Sequence, residues 1–301
     1  MSKHPDIYCP GYYGTKFRYH NYSDKTFADT ISCKRNVFIW HDGNIDALYN
    51  GDVPIRYKYL IHPVRHPYEQ MIASYNASLQ QDIISNKDTV DIEKYIMQGK
   101  LNSLRCSLSY SNNYCNYEKV KIVDFSHLSS AHINKTMNDI YQWLGLEACA
   151  NFENDFSFKR NTIDFFLEKS PLHITHKNIN WGIYFIRQGQ IVPKHLYPIG
   201  VSSADELGML TICLSKGELY ANRAQYKGLT AIDVELMIDS FFLPWVNRLR
   251  EKLDLFQSKK ISSLPSQVMA IIDDECQDDY NRILDYYPEI ELLWRDKWPL
   301  R

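Results

Sequence analysis

One stretch limits this chain more than any other. Tyr57-Lys58-Tyr59-Leu60-Ile61-His62-Pro63-Val64-Arg65-His66-Pro67-Tyr68-Glu69-Gln70-Met71-Ile72-Ala73-Ser74-Tyr75 reads as a short apolar strand, an arginine, a turn and then an amphipathic helix. Pro67 suits the first helical position, where its missing N–H removes no hydrogen bond, and Glu69 falls in the positive first turn. Arg65 stands where strand hands over to helix. A guanidinium there can grip two oxygens of a phosphate while free backbone N–H groups supply further donors. A surface arginine beside an ordinary helix start is the plain alternative.

The rest of the first half repeats that logic. Short apolar runs at residues 6–9, 36–40, 58–64 and 120–125 alternate with helical patterns, as in a parallel α/β sheet. Residues 133–144 carry helical periodicity through Ile133, Met137, Ile140, Tyr141 and Leu144, with Gly145 suited to the C-cap. The second half reads as mainly helical, interrupted by a hairpin over residues 183–192 turning near Gly189. Ser203 with Glu206, and Thr230 with Asp233, have capping-box spacing. The helix opened at Thr230 should kink or restart near Pro244. Residues 258–265 read as a connector, and a helical tail from Gln267 ends in aromatics, Trp294 and Trp298, that should dock on a core. The expected fold class is α/β, a central parallel sheet flanked by helices with a largely helical C-terminal half. One domain spans residues 1–301, with an α/β core over about 5–150 and a mainly helical region over about 151–301.

Charge excludes some functions. The 34 basic and 36 acidic residues nearly cancel, which argues against a general nucleic-acid or membrane-surface binder. A hydrophobic share of 45% argues against disorder. Cysteines 9, 33, 106, 115, 149, 213 and 276 are scattered without a CxxC pair. With no apolar leader at residues 1–6 and no run long enough to span a bilayer, the expectation is reduced thiols in a cytoplasmic protein. The sequons at Asn21, Asn76 and Asn134 then carry little weight, and a protein trimmed of a membrane anchor would look the same. His173 and His176 lie three apart without further ligand spacing, so they read as surface histidines and no metal is expected.

Four further segments join the Arg65 run. Cys9-Pro10-Gly11-Tyr12-Tyr13-Gly14-Thr15-Lys16-Phe17 follows a candidate strand; its N–H groups can cradle an anion, though a Gly/Tyr turn would look alike. The GxxxxGK[ST] spacing of nucleotide triphosphatases is absent. His41 ends the run Asn36-Val37-Phe38-Ile39-Trp40, at the sheet edge where active-site groups gather, or simply closes a strand beside Asp42 and Gly43. Residues 120–128 lead through a helix to Trp143-Leu144-Gly145-Leu146. Tyr226-Lys227-Gly228 follows Arg223, and its Lys-Gly pair would also serve as a C-cap.

In this order and spacing, residues 10–146 resemble the sulfotransferases that use 3'-phosphoadenosine 5'-phosphosulfate (PAPS) as donor. The resemblance implies that Arg65 and Ser74 bind the donor's 3'-phosphate. The family serine sits eight positions after the arginine, here Ala73, and Ser74 comes one later, about 100° further round a helix. Gly14, Thr15 and Lys16 would hold the 5'-phosphosulfate, although the family lysine precedes the Gly-Thr pair rather than following it. Phe125 falls where an aromatic stacks on adenine, or fills the core. Lys227 and Gly228 echo a late loop closing the 3'-phosphate site. His41 would be the general base, since an imidazole titrates near neutral pH. The expected reaction moves a sulfuryl group from PAPS to a hydroxyl or amine of a small molecule or carbohydrate, leaving adenosine 3',5'-bisphosphate. Trp181, Tyr184, Phe185 and Tyr197 would line the acceptor pocket or fill a core. A nucleotide kinase or NTPase, and a non-catalytic binding protein on a degenerate sulfotransferase scaffold, are the alternatives. Acceptor identity and oligomeric state are left open by the sequence.

Overall fold

A computed structural model describes residues 7–8, 12–13, 35–36, 39–40, 58–149, 151, 162–176, 178–204, 207–222 and 231–295. The chain is a mixed α/β protein with small parallel pairings and one antiparallel sheet. Contacts divide it into two units. The first comprises Met1–Tyr75, Val90–Asn154 and Ile261–Arg301; the second comprises Asn76–Thr89 and Asp155–Lys260.

In the first unit the strand pairings among the described residues are parallel. β1 (Ile7–Tyr8) pairs with β3 (Arg35–Asn36), and β2 (Tyr12–Tyr13) with β4 (Ile39–Trp40). The longest pair is β5 (Tyr59–Val64) beside β6 (Lys119–Asp124), in register from Tyr59 opposite Lys119 to Val64 opposite Asp124. Alternation gives this pair two covered faces. On one, Tyr59, Ile61 and Val123 pack with Met137, Ile140 and Tyr141 of a helix over Ile133–Trp143. Each fully buried side chain of this kind stabilises the fold by about 1.5–3 kcal/mol. That helix ends as expected: Gly145 takes φ 73°, its N–H bonds to the Gln142 carbonyl at 2.9 Å, and Leu146 N–H bonds to Tyr141 at 2.8 Å. This is the Schellman arrangement, and it needs the left-handed conformation glycine adopts freely. The other face carries His62, Val64 and Ile122, all buried.

We number the helices α1 (Pro67–Ile84), α2 (Ile92–Tyr95), α3 (Leu101–Leu108), α4 (Ile133–Trp143), α5 (Thr162–Lys169), α6 (Lys216–Ala221), α7 (Ala231–Lys259), α8 (Ser266–Tyr286) and α9 (Ile290–Trp294). Short 3-10 segments lie at Ser109–Asn116 and Phe125–Leu128. Within the first unit α8 packs on α3, on the first 3-10 segment and on β6. Trp294 of α9 is 2% exposed, so the aromatic tail docks on a core as far as the described residues run. Trp298 lies outside them.

The second unit departs from the expected helical half. Its centre is a four-stranded antiparallel sheet of β7 (Leu172–His176), β8 (Ile179–Arg187), β10 (Gly208–Ser215) and β9 (Leu196–Ala204), in that spatial order. The expected hairpin at Gly189 does not form. β8 pairs with β7 and β10, and the chain turns at Gly189 (φ 90°) to reach β9 on the far side of β10. Ser203 is no helix cap: it sits in β9 opposite Met209. Glu206 lies outside the described residues. Trp181, Ile183 and Phe185 alternate along β8 and are all buried. Phe185 lies 4.4 Å from the Trp245 ring of α7, and Phe166 of α5 lies 6.0 Å from Phe256. Trp181 and Phe185 therefore belong to the core, while Tyr197 is exposed. α7 runs through Pro244 as one helix, without the expected restart, and Thr230 lies outside the described residues. Among the described residues no helix is long and apolar enough to cross a membrane.

Candidate functional site

Where β5 and β6 end side by side, the next residues are Arg65 and Phe125, and the structure brings these two together. The Arg65 guanidinium carbon lies 5.0 Å from the Phe125 ring centroid, a cation–π contact. Phe125 is 49% exposed, so its ring presents area to solvent rather than filling the core. Arg65 Nε lies 3.9 Å from Glu69 Oε2, one helical turn on, and this buried nitrogen has no hydrogen-bond partner among the described residues. The pair is about one-third exposed on each side, so its attraction is screened and worth under about 1 kcal/mol. A cation and a flat ring thus share an accessible edge, the combination that recognises an anion attached to a planar base.

The helix start beside it offers fewer backbone donors than expected. Pro67 has none, and His66 caps the helix: its Nδ1 accepts from Tyr68 N–H at 3.2 Å and its carbonyl from Gln70 N–H at 2.9 Å. The His66 ring is 1% exposed, edge-on to Tyr68 at 4.9 Å and to Trp294 at 5.3 Å. Anion recognition at this edge would rest on the guanidinium more than on the helix.

Asp124 holds the edge in shape. Its Oδ2 accepts from Trp294 Nε1 at 2.7 Å; its Oδ1 accepts from Ser126 N–H at 2.8 Å and from the Ser126 hydroxyl. These bonds turn the chain out of β6 into the 3-10 segment and set Phe125 at the corner. Beneath the same face, His62 Nδ1 lies 2.6 Å from the Tyr114 hydroxyl. Burial, then the charge of Asp279, pushes the Tyr114 phenol above its ordinary value, so it keeps its proton in this contact.

Ser74 is placed otherwise. It lies seven residues into α1, about 10 Å along the axis from Pro67 at 1.5 Å per residue. Its Oγ is 2.8 Å from the Tyr95 hydroxyl, so it is engaged in packing α1 onto α2. Gly14, Thr15, Lys16, His41, Lys227 and Gly228 lie outside the described residues. His66, Asp124 and Trp294 were not singled out as site residues. Asp124 had a local signal, an Asx-type turn to Ser126; the 170-residue separation from Trp294 had none. No family model, curated protein or solved structure matches the chain.

Proposed function

We propose that this chain is a PAPS-dependent sulfotransferase. The observation that carries the reading is the contact of Arg65 with Phe125 at the carboxyl edge of two parallel strands. It supplies a cation for the ribose 3'-phosphate and a ring for the adenine, at the edge of an α/β sheet where ligands bind. The three parallel pairings of the first unit are read as parts of one central sheet flanked by helices, which would bring the loop after β2 and the end of β4 to the same edge. Gly14, Thr15 and Lys16 would then hold the 5'-phosphosulfate. His41 would accept the proton of the acceptor hydroxyl or amine as that atom bonds to sulfur. The sulfur–oxygen bond to the leaving phosphate breaks, and Lys16 offsets the charge that gathers there.

Calorimetry tests this directly. Adenosine 3',5'-bisphosphate should bind the full chain, ATP with magnesium should not, and Arg65→Ala should weaken binding by about 10–100-fold, the loss of a charge-assisted fork. Equal affinity in wild type and Arg65→Ala would end the reading. With an acceptor in hand, His41→Ala should lower turnover by about 10²–10⁴-fold with donor affinity unchanged.

A second reading has one observation in its favour. The engagement of Ser74 by Tyr95 suits a nucleotide-binding protein on a degenerate scaffold. Tight adenosine 3',5'-bisphosphate binding with no transfer of labelled sulfate to any acceptor would select it.

A further inference from the structure

The second unit contains a cleft of about 510 Å³, the size of a small-molecule site, with an unusual balance of charge. Lys169, His173, Arg248 and Lys252 line it, and among the described residues no carboxylate does. Two of these side chains have other work. Lys169 Nζ lies 2.9 Å from Glu168, and Lys252 Nζ donates to the Ile84 carbonyl at 2.8 Å, where α1 ends in a negative helix terminus. Arg248 and His173 have no such partner among the described residues.

Arg248 and Lys252 are also spaced i, i+4 on α7, so two like charges face one cleft, an arrangement that costs stability on a helix. Burial and then the charge of Arg248 push the Lys252 ammonium below its ordinary value. Residues leading into β7 also line the cleft, and there the Ser170 Oγ is buried without a hydrogen-bond partner among the described residues. The Ser170 carbonyl is taken by Trp245 Nε1 at 2.9 Å, which fixes this wall. Ile84, Leu249 and Trp245 contribute apolar surface to the cleft.

We infer that this cleft binds a small organic phosphate or sulfate ester, its anion held by Arg248, Lys252 and His173 and its apolar body against Leu249 and Trp245. The inference is independent of the donor site at Arg65. It accounts for why a helix would keep two cations one turn apart: an oxyanion between them turns their repulsion into charge-assisted hydrogen bonds.

Calorimetric titration of the full chain with phenyl phosphate, phenyl sulfate and benzyl alcohol tests it. At least one ester should bind saturably and the alcohol should not; the tighter ester identifies the anion. Arg248→Gln should weaken binding by about tenfold or more, the worth of one charge-assisted bond. Arg248→Lys should recover most of the loss. Arg248 is exposed and its replacement relieves a like-charge contact, so the variant should fold; His173→Asn, expected to weaken binding as well, gives a second reading. No saturable binding of either ester, equal binding of benzyl alcohol, full affinity in both Arg248→Gln and His173→Asn, or a loss confined to Arg65→Ala would each overturn the proposal.

Discussion

Asp124 gathers three donors in a space 5% exposed, and its removal strands them together. Asp124→Ala removes the acceptor shared by the Trp294 N–H and the two Ser126 donors, and should cost about 2–4 kcal/mol in urea denaturation. Loss of the Phe125 corner should follow, so the same variant should weaken adenosine 3',5'-bisphosphate even at temperatures where it is folded. Cys276 gives a pH test of the same core. Burial first, then the charge of Asp279, pushes its thiol up to about 12 from an ordinary 9.0, against an opposing pull from Arg105. Both states keep the proton below pH 9, so the thiol adds no pH dependence there. Between pH 9 and 12 only the unfolded thiol ionises, and stability falls with rising pH by up to about 1.4 kcal/mol per unit. Urea midpoints should therefore decline from pH 9 to 10.5, and less steeply in Cys276→Ala. An unchanged slope in that variant would contradict the assignment.

Among elements, those written in local pattern were readable and those written in distant contacts were not. β5, β6 and α4 follow from short-range periodicity, and Gly145 from the one conformation its position requires. Gly145→Ala should cost about 1 kcal/mol in thermal denaturation, since an alanine must hold φ 73°. β9 was missed because Pro198 and Gly200 break its alternation, and its neighbour β10 shifts register between Ile212 and Cys213. At the site, Arg65 and Phe125 were each marked by their place at the end of an apolar run, but nothing in the sequence said that these runs lie side by side. Ser74 was not legible, because its hydroxyl answers to Tyr95, twenty-one residues away on another helix. His66 escaped notice because the usual capping residues are Ser, Thr, Asp and Asn, although Pro67 marked the helix start correctly.

Over the whole molecule, the first unit is assembled from three separated stretches of chain. The helix α8 that covers β6 arrives more than a hundred residues after the strand itself. A fragment ending near residue 150 holds the expected α/β core in sequence, yet lacks the cover for one sheet face. It should show helical far-UV circular dichroism with weak near-UV signal and bind hydrophobic dye, the behaviour of a loosely packed state. Adding residues 261–301 as a separate peptide should restore part of the near-UV signal; a fragment that is already rigid alone would show that α8 is dispensable.

The bond from Trp294 to Asp124 also sets a clock for the ribosome. At roughly 5–20 residues per second, roughly 10–30 s pass between synthesis of the aspartate and of the indole that must meet it. For that interval the nascent arginine corner has its strands but not its latch, and chaperones have an unfinished sheet edge to shield.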